Sequence, residues 1–394
     1  MPVENHFRHQ PYPTAPALTP VLRMLHADEA VETDFSKLHT ALRIGRVVLV
    51  HGTFMGDDPF GIADTLTSIA ESVPLLARQL HRLAEASLAK TRPFTSSLTG
   101  DVGNYHEPFR QRFQALVGDD PQVELLSPTW SGQNHHLARA DLAVRLLHQL
   151  LVRPLLPDQN VLLWGHSHAG NAFALLTNLL ANHQDSVAQF FDAAAQHGVA
   201  HWDEVRTNLA SESSPHPLAN RIFIVGFETP VRYGWDTDGS AKLVHVMFHR
   251  PSDEMSPTKT KPLFPPHVPG DVVSAKWGDW VQAFAIAGTD VSTVQTRKIN
   301  QNLTAFLEAN LPEPQHGIDT RFIMPKRVRD ACFRWKTGTR CHSDGMNLLV
   351  DYELSGDLST IGQPVELSLL GHGVATTIRW LPTHLKLVMD ALLA

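Results

Sequence analysis

The stretch that most constrains this chain is VLLWGHSHAGNAFALL, Val161–Leu176. Four apolar residues run into Gly165, Ser167 stands between two histidines, and Ala169 and Gly170 open an apolar pattern with helical spacing. This reads as a buried strand leaving through a tight turn into a helix. Such a turn lifts a side chain off the carboxyl edge of a sheet and aims a helix N-terminus at any negative charge that develops beside it. The turn is crowded, so small residues must flank the serine; Gly165, Ala169 and Gly170 meet that demand. His166 and His168 are expected to point away from Ser167 and to pack or hydrogen-bond nearby, not to act as its base. A zinc pair formed by these two is the weaker reading.

GHSHAG is a G-x-S-x-A variant of the nucleophile elbow. On this motif the chain resembles the α/β-hydrolases, of the bacterial lipase/esterase kind, from roughly Arg43 to Ala394. The resemblance implies an α/β-hydrolase fold: a mostly parallel eight-stranded sheet with helices on both faces and lid-like insertions. It also implies a Ser–acid–His triad in that chain order and an oxyanion hole shared between two loops. A second match is VVLVHGTFMGDD, where a buried strand ends in His51-Gly52 well upstream of the serine. In the family, the amide just after this pair completes the oxyanion hole. Here that residue is Thr53 or Phe54, and His168 supplies the second amide.

The family's acid usually follows the second strand beyond the elbow strand, and its histidine precedes the last helix. VQAFAIAGTD reads as an apolar strand ending at Asp290, which makes Asp290 the expected orienting acid. Glu228, in GFETPVRYGW, is the alternative. That segment also resembles a strand end in bacterial lipases, with Thr229, Pro230 and Tyr233 shaping a pocket wall. His372, between Gly371 and Gly373 and ahead of the C-terminal helix pattern, is the expected base. His342 is a competing base, and His384 is expected to pack within its helix. Trp130, Tyr233, Trp235 and Phe264 are expected to bind substrate, with Phe54 as a further apolar wall.

The expected strands are Arg46–Gly52, Val123–Trp130, Asn160–Gly165, Arg221–Phe227, Val281–Gly288, Asn347–Tyr352 and Val365–Gly371. The expected helices are Leu137–Leu151, Asn171–Ala181, Val294–Leu311 and Pro382–Leu393. Residues 1–40 read as a proline-rich extended arm and 41–394 as a single catalytic domain. Insertions fall near 55–121, 251–278 and 312–345. Hydrophobic residues make up 43% of the chain, enough for a sizeable core and against global disorder. The net charge of −7 is dispersed and no basic tract stands out, which argues against a nucleic-acid partner and favours neutral esters. No run is long and apolar enough to span a bilayer and no signal peptide is visible, so a cytoplasmic location is expected. Cys332 and Cys341 read as reduced thiols in preference to a hairpin bridge.

These residues together imply a serine-dependent hydrolase of carboxylic esters. It would act on a small-molecule or lipid ester and need neither cofactor nor metal. An amidase, peptidase or thioesterase with the same triad, or a binding protein that has kept the fold without turnover, are the alternatives.

Overall fold

The computed structural model describes residues 6–8, 19–26, 33–53, 105–117, 123–250, 271, 275–288, 290, 292–293, 296–308, 330–331, 333–334, 338–353 and 370–394. Its seven strands are β1 (Val21–Leu25), β2 (Ile44–Val50), β3 (Glu124–Leu126), β4 (Asn160–His166), β5 (Ile222–Phe227), β6 (Lys242–Phe248) and β7 (Met346–Tyr352). They pair in the order β1-β7-β6-β5-β4-β2-β3, every pair parallel. The helices are α1 (Lys37–Thr40), α2 (Glu107–Val117), α3 (His136–Val152), α4 (His168–Ala181), α5 (Gln184–Ala193), α6 (Ala200–Ser211), α7 (Trp280–Ala287), α8 (Arg297–Leu307) and α9 (Leu381–Leu393).

A parallel sheet covered on both faces needs apolar side chains at successive positions, not at alternate ones. β2 and β4 show this. Val48, Val50, Val161 and Leu163 pack into one core with α3, α4 and α5. Their neighbours Val47, Leu49, Leu162 and Trp164 pack into the other, with α2 and α9. The helices end where the local residues dictate. Pro382 sits in the first turn of α9, where its missing N–H has no intrahelical partner to lose. α4 stops at Asn182, which adopts a left-handed conformation (φ 56°).

The strand order places the candidate residues. From β2 the chain passes outward to β3, whereas from β4 it passes the other way, to β5, β6 and β7. Adjacent strands whose connections diverge leave a crevice at their carboxyl ends, where open α/β sheets bind ligands. Here those strands are β2 and β4, which lead directly into His51-Gly52 and Ser167.

Several expectations are corrected. Val281–Gly288 is not a strand: Trp280–Ala287 is the helix α7, begun by Asp279, whose carboxylate accepts the Gln282 N–H at 2.9 Å. A short, wholly apolar run does not distinguish a buried strand from a buried helix, and the cap decides it. β6 was not expected, because Lys242 and His245 interrupt its apolar run. The described residues hold seven strands where eight were implied, and Val365–Gly371 lies almost wholly outside them. The N-terminal segment is more than an arm. It supplies β1 at the sheet edge, and Phe7 is fully buried against Phe190. Most of the three expected insertions lies outside the described residues. The described end of the first holds α2, whose Phe113 meets Trp164 edge-on. Among the described residues no helix is long and apolar enough to cross a membrane.

Candidate active site

Ser167 sits between the last residue of β4 and the first of α4 with φ 58° and ψ −132°. A non-glycine residue with positive φ is strained by about 1–3 kcal/mol and persists only where its surroundings fix it. Its N–H donates to the Phe227 carbonyl at 2.8 Å, which carries the β4–β5 ladder into the turn, and its own carbonyl accepts the Gly170 N–H at 3.0 Å. The small residues are required by packing. A Cβ on Gly165 would stand 2.3 Å from the Phe173 ring, and one on Gly170 would stand 1.9 Å from Thr229 Oγ1. A Cβ on Gly52 would lie 2.7 Å from the Ser167 Cβ. The loop after β2 therefore lies directly against the serine. Thr53 follows in that loop; Phe54 lies outside the described residues. His168 opens α4, so its amide belongs to the first helical turn, whose N–H groups have no intrahelical acceptor.

His372 is buried in the loop ahead of α9. Its carbonyl accepts the Nε2–H of His166, the residue before Ser167, at 2.9 Å, and the two rings lie 4.4 Å apart. Burial, with His372 next to it, pushes His166 down to about 3, so that ring is neutral and acts as a strut. His168 is likewise held well below its ordinary value by burial and by Arg139; its Nδ1 faces the Asn171 side-chain amide at 3.0 Å. Both flanking histidines are engaged with neighbouring groups, His166 with the His372 carbonyl and His168 with Asn171.

The acid facing His372 is Asp279, not Asp290. His372 Nδ1 donates to Asp279 Oδ2 at 2.5 Å, and Asp279 is fully buried at the N-cap of α7. Burial alone would raise the Asp279 carboxyl, but the His372 imidazole and the α7 amide outweigh it and hold it below its ordinary value. Asp279 still follows the second strand beyond the elbow strand, because that strand is β6; mistaking α7 for a strand displaced the expected acid by one helix. Asp290 belongs to a separate ionic cluster. It pairs with Arg139 and, at 2.6 Å, with Arg232, which also pairs with Glu308. Those guanidiniums hold its carboxyl well below the ordinary range against the effect of burial.

Glu228 stands behind Asp279. It is fully buried with φ 52°, and its Oε1 accepts the Phe248 N–H at 2.7 Å. Burial, reinforced by the Asp279 charge, pushes it well above the carboxylate range. Its Oε2 is buried without a hydrogen-bond partner among the described residues. Sequence reasoning singled out Glu228 but missed Asp279. The signal available was the D-x-x-Q pattern of a helix start, Asp279 to Gln282, in a stretch read as a strand.

The expected pocket residues divide. Trp130 is at the site: its indole N–H donates to the His51 carbonyl at 3.2 Å. Tyr233 and Trp235 are buried and hydrogen-bonded in the interior. The Tyr233 hydroxyl meets His136 Nδ1 at 2.7 Å and accepts from Arg139 at 2.8 Å; Trp235 donates to His342 Nδ1 at 3.0 Å. That bond, and stacking on His245 at 3.9 Å, also commits His342 to the interior. His384 packs as expected, bonded to the Tyr352 hydroxyl at 2.9 Å. Phe264 and Cys332 lie outside the described residues, and Cys341 is a buried free thiol pushed up to about 12 by burial. Comparison with protein-family models, curated proteins and solved structures returned no match.

Proposed function

We propose that the chain is a serine hydrolase of the α/β-hydrolase kind that cleaves carboxylic esters through an acyl-enzyme on Ser167. The observation that carries this reading is the joining of two features. One is a strained serine at the β4–α4 turn, where the sheet's connections diverge; the other is a buried His372–Asp279 pair tied to that turn through His166. The order of β2 to β7 in the sheet agrees with it.

Asp279 occupies Nδ1 of His372, which fixes the tautomer and leaves Nε2 to take the Ser167 proton as the hydroxyl attacks the ester carbonyl. The oxyanion would be met by the amides of His168 and Thr53. Donors of this kind, held in place before reaction, each lower the barrier by about 2.7–4 kcal/mol. His372 then protonates the departing alcohol, and water repeats the sequence on the acyl-enzyme. The Asp279 carboxylate stabilises the imidazolium formed in both stages. Glu228 behind it is held above its ordinary value by burial and by the Asp279 charge, which disfavours a second negative charge beside Asp279.

A fluorophosphonate probe tests the reading. The wild-type chain is expected to label at Ser167 and to hydrolyse a p-nitrophenyl ester; Ser167→Ala is expected to do neither, and His372→Ala to label far more slowly. A folded wild-type chain that neither labels nor turns over short- and long-chain esters would overturn it. Faster turnover of an anilide than of the matching ester would favour an amidase.

A further inference from the structure

We infer that His6, His183 and Asp236 form a zinc site that fastens the N-terminal segment to the α/β body. Their ligating atoms all lie within 4.8 Å of one another. His183 Nε2 is 3.1 Å and His6 Nδ1 3.5 Å from the same oxygen, Asp236 Oδ2. Ligands at the ordinary zinc distance of about 2.0–2.1 Å in a tetrahedral site are separated by about 3.3–3.4 Å. The two spacings from Asp236 bracket that value, and the His6 and His183 rings, stacked at 3.9 Å, would turn about their side-chain bonds to bring both nitrogens in plane with one ion.

Three features of the local chemistry point to a cation. Asp236 is only 9% exposed, and its Oδ2 is buried without a hydrogen bond, although Oδ1 accepts the Asp238 N–H at 3.1 Å. A buried carboxylate oxygen facing two imidazole nitrogens and no ammonium or guanidinium calls for positive charge. His183 occupies the N-cap of α5, yet its side chain makes no cap hydrogen bond and is turned to Asp236. The backbone around the three residues is fixed independently of any metal. The Asp236 N–H donates to Thr177 Oγ1 at 3.2 Å, and the Gly234 N–H donates to the Phe7 carbonyl at 3.0 Å. The neighbouring Arg8 guanidinium donates to the Phe306 carbonyl at 2.7 Å.

His136, Asp290 and Glu308 converge just as closely. There, however, Arg139, Arg232 and Arg334 already neutralise the carboxylates, and a metal would be repelled by them. No arginine or lysine pairs with Asp236 among the described residues. Two imidazoles and one carboxylate suit zinc better than the hard cations calcium and magnesium, which take oxygen ligands. The His6 and His183 side chains are 32% and 39% exposed, which gives the ion a route in and leaves room for a water ligand.

The full-length chain, stripped with a chelator and desalted, would be titrated with zinc chloride while melting temperature and metal content are measured. The wild type is expected to retain about one zinc more than His183→Ala or Asp236→Asn and to melt higher with zinc, with no shift in magnesium. His6→Gln, in the N-terminal segment, keeps the test decisive should either of those variants fail to fold. It is expected to bind at least about tenfold more weakly. Cobalt in place of zinc should give the visible bands of a four-coordinate ion in the wild type only. Zinc content and melting shift equal in the wild type and in folded His6→Gln would overturn the site and leave a plain histidine–aspartate ion pair.

Discussion

Asp279 and Asp290 flank one short helix and have unrelated surroundings. Asp279 faces an imidazole, with the buried Glu228 carboxyl behind it; Asp290 faces two guanidiniums. Residue types and spacing singled out Ser167, His372 and the His51-Gly52 turn as candidates, because the proposed elbow, oxyanion loop and glycine-flanked histidine have local signatures. The acid has none: any aspartate at an element boundary fits, and only tertiary contact selects one. The upward shift of Glu228 likewise follows from burial that no sequence pattern announces. Its folded-state value lies above the unfolded glutamate value of about 4.3. It therefore stabilises fully below that pH, and its contribution is lost as pH rises towards the folded value. Glu228→Gln, which does not titrate, is expected to gain melting temperature relative to the wild type as pH rises from 4 to 8. A pH-independent difference between the two would contradict the assignment.

At the scale of elements, β2, β4, β5, α3, α4 and α9 follow closely from their apolar patterns and caps. The errors fall on β6, whose polar residues disguised a buried strand, and on α7, whose uniformly apolar sequence disguised a helix. β6 is buried within the sheet whatever its pattern, whereas α7 is started by its Asp279 cap and packs in a small cluster with Trp277. The β4–α4 joint carries a prediction of its own. The Gly165 position faces the Phe173 ring so closely that Gly165→Ala should destabilise by about 1–3 kcal/mol in urea melts. Adding Phe173→Leu should recover part of that loss. If the double variant is as unstable as the sum of the single changes, the contact is not what excludes a side chain there.

For the whole molecule, the Asp290 cluster joins three separate parts of the chain. Arg139 comes from α3, Arg232 from the loop after β5, and Glu308 from the end of α8. Arg139 also reaches His168 at 3.4 Å, so the cluster touches the turn that carries Ser167. Asp290→Asn leaves two buried guanidiniums undercompensated and should cost about 3–5 kcal/mol of stability. Because the Asp290 value is depressed in the fold, its contribution is present above about pH 4 and is lost as pH falls through the folded value. The wild type should thus lose its advantage over Asp290→Asn in acid, which melting curves between pH 7 and 3 would measure; an advantage constant across that range would contradict this.

The central claim is that Asp279 orients His372 for Ser167, and parallel turnover measurements on Asp279→Asn and Asp290→Asn test it most directly. With one p-nitrophenyl ester, at a temperature where both variants are folded, Asp279→Asn should lower kcat by about 10⁴-fold while Asp290→Asn stays within about tenfold of the wild type. The reverse ranking, with Asp290→Asn silenced and Asp279→Asn active, would contradict the account.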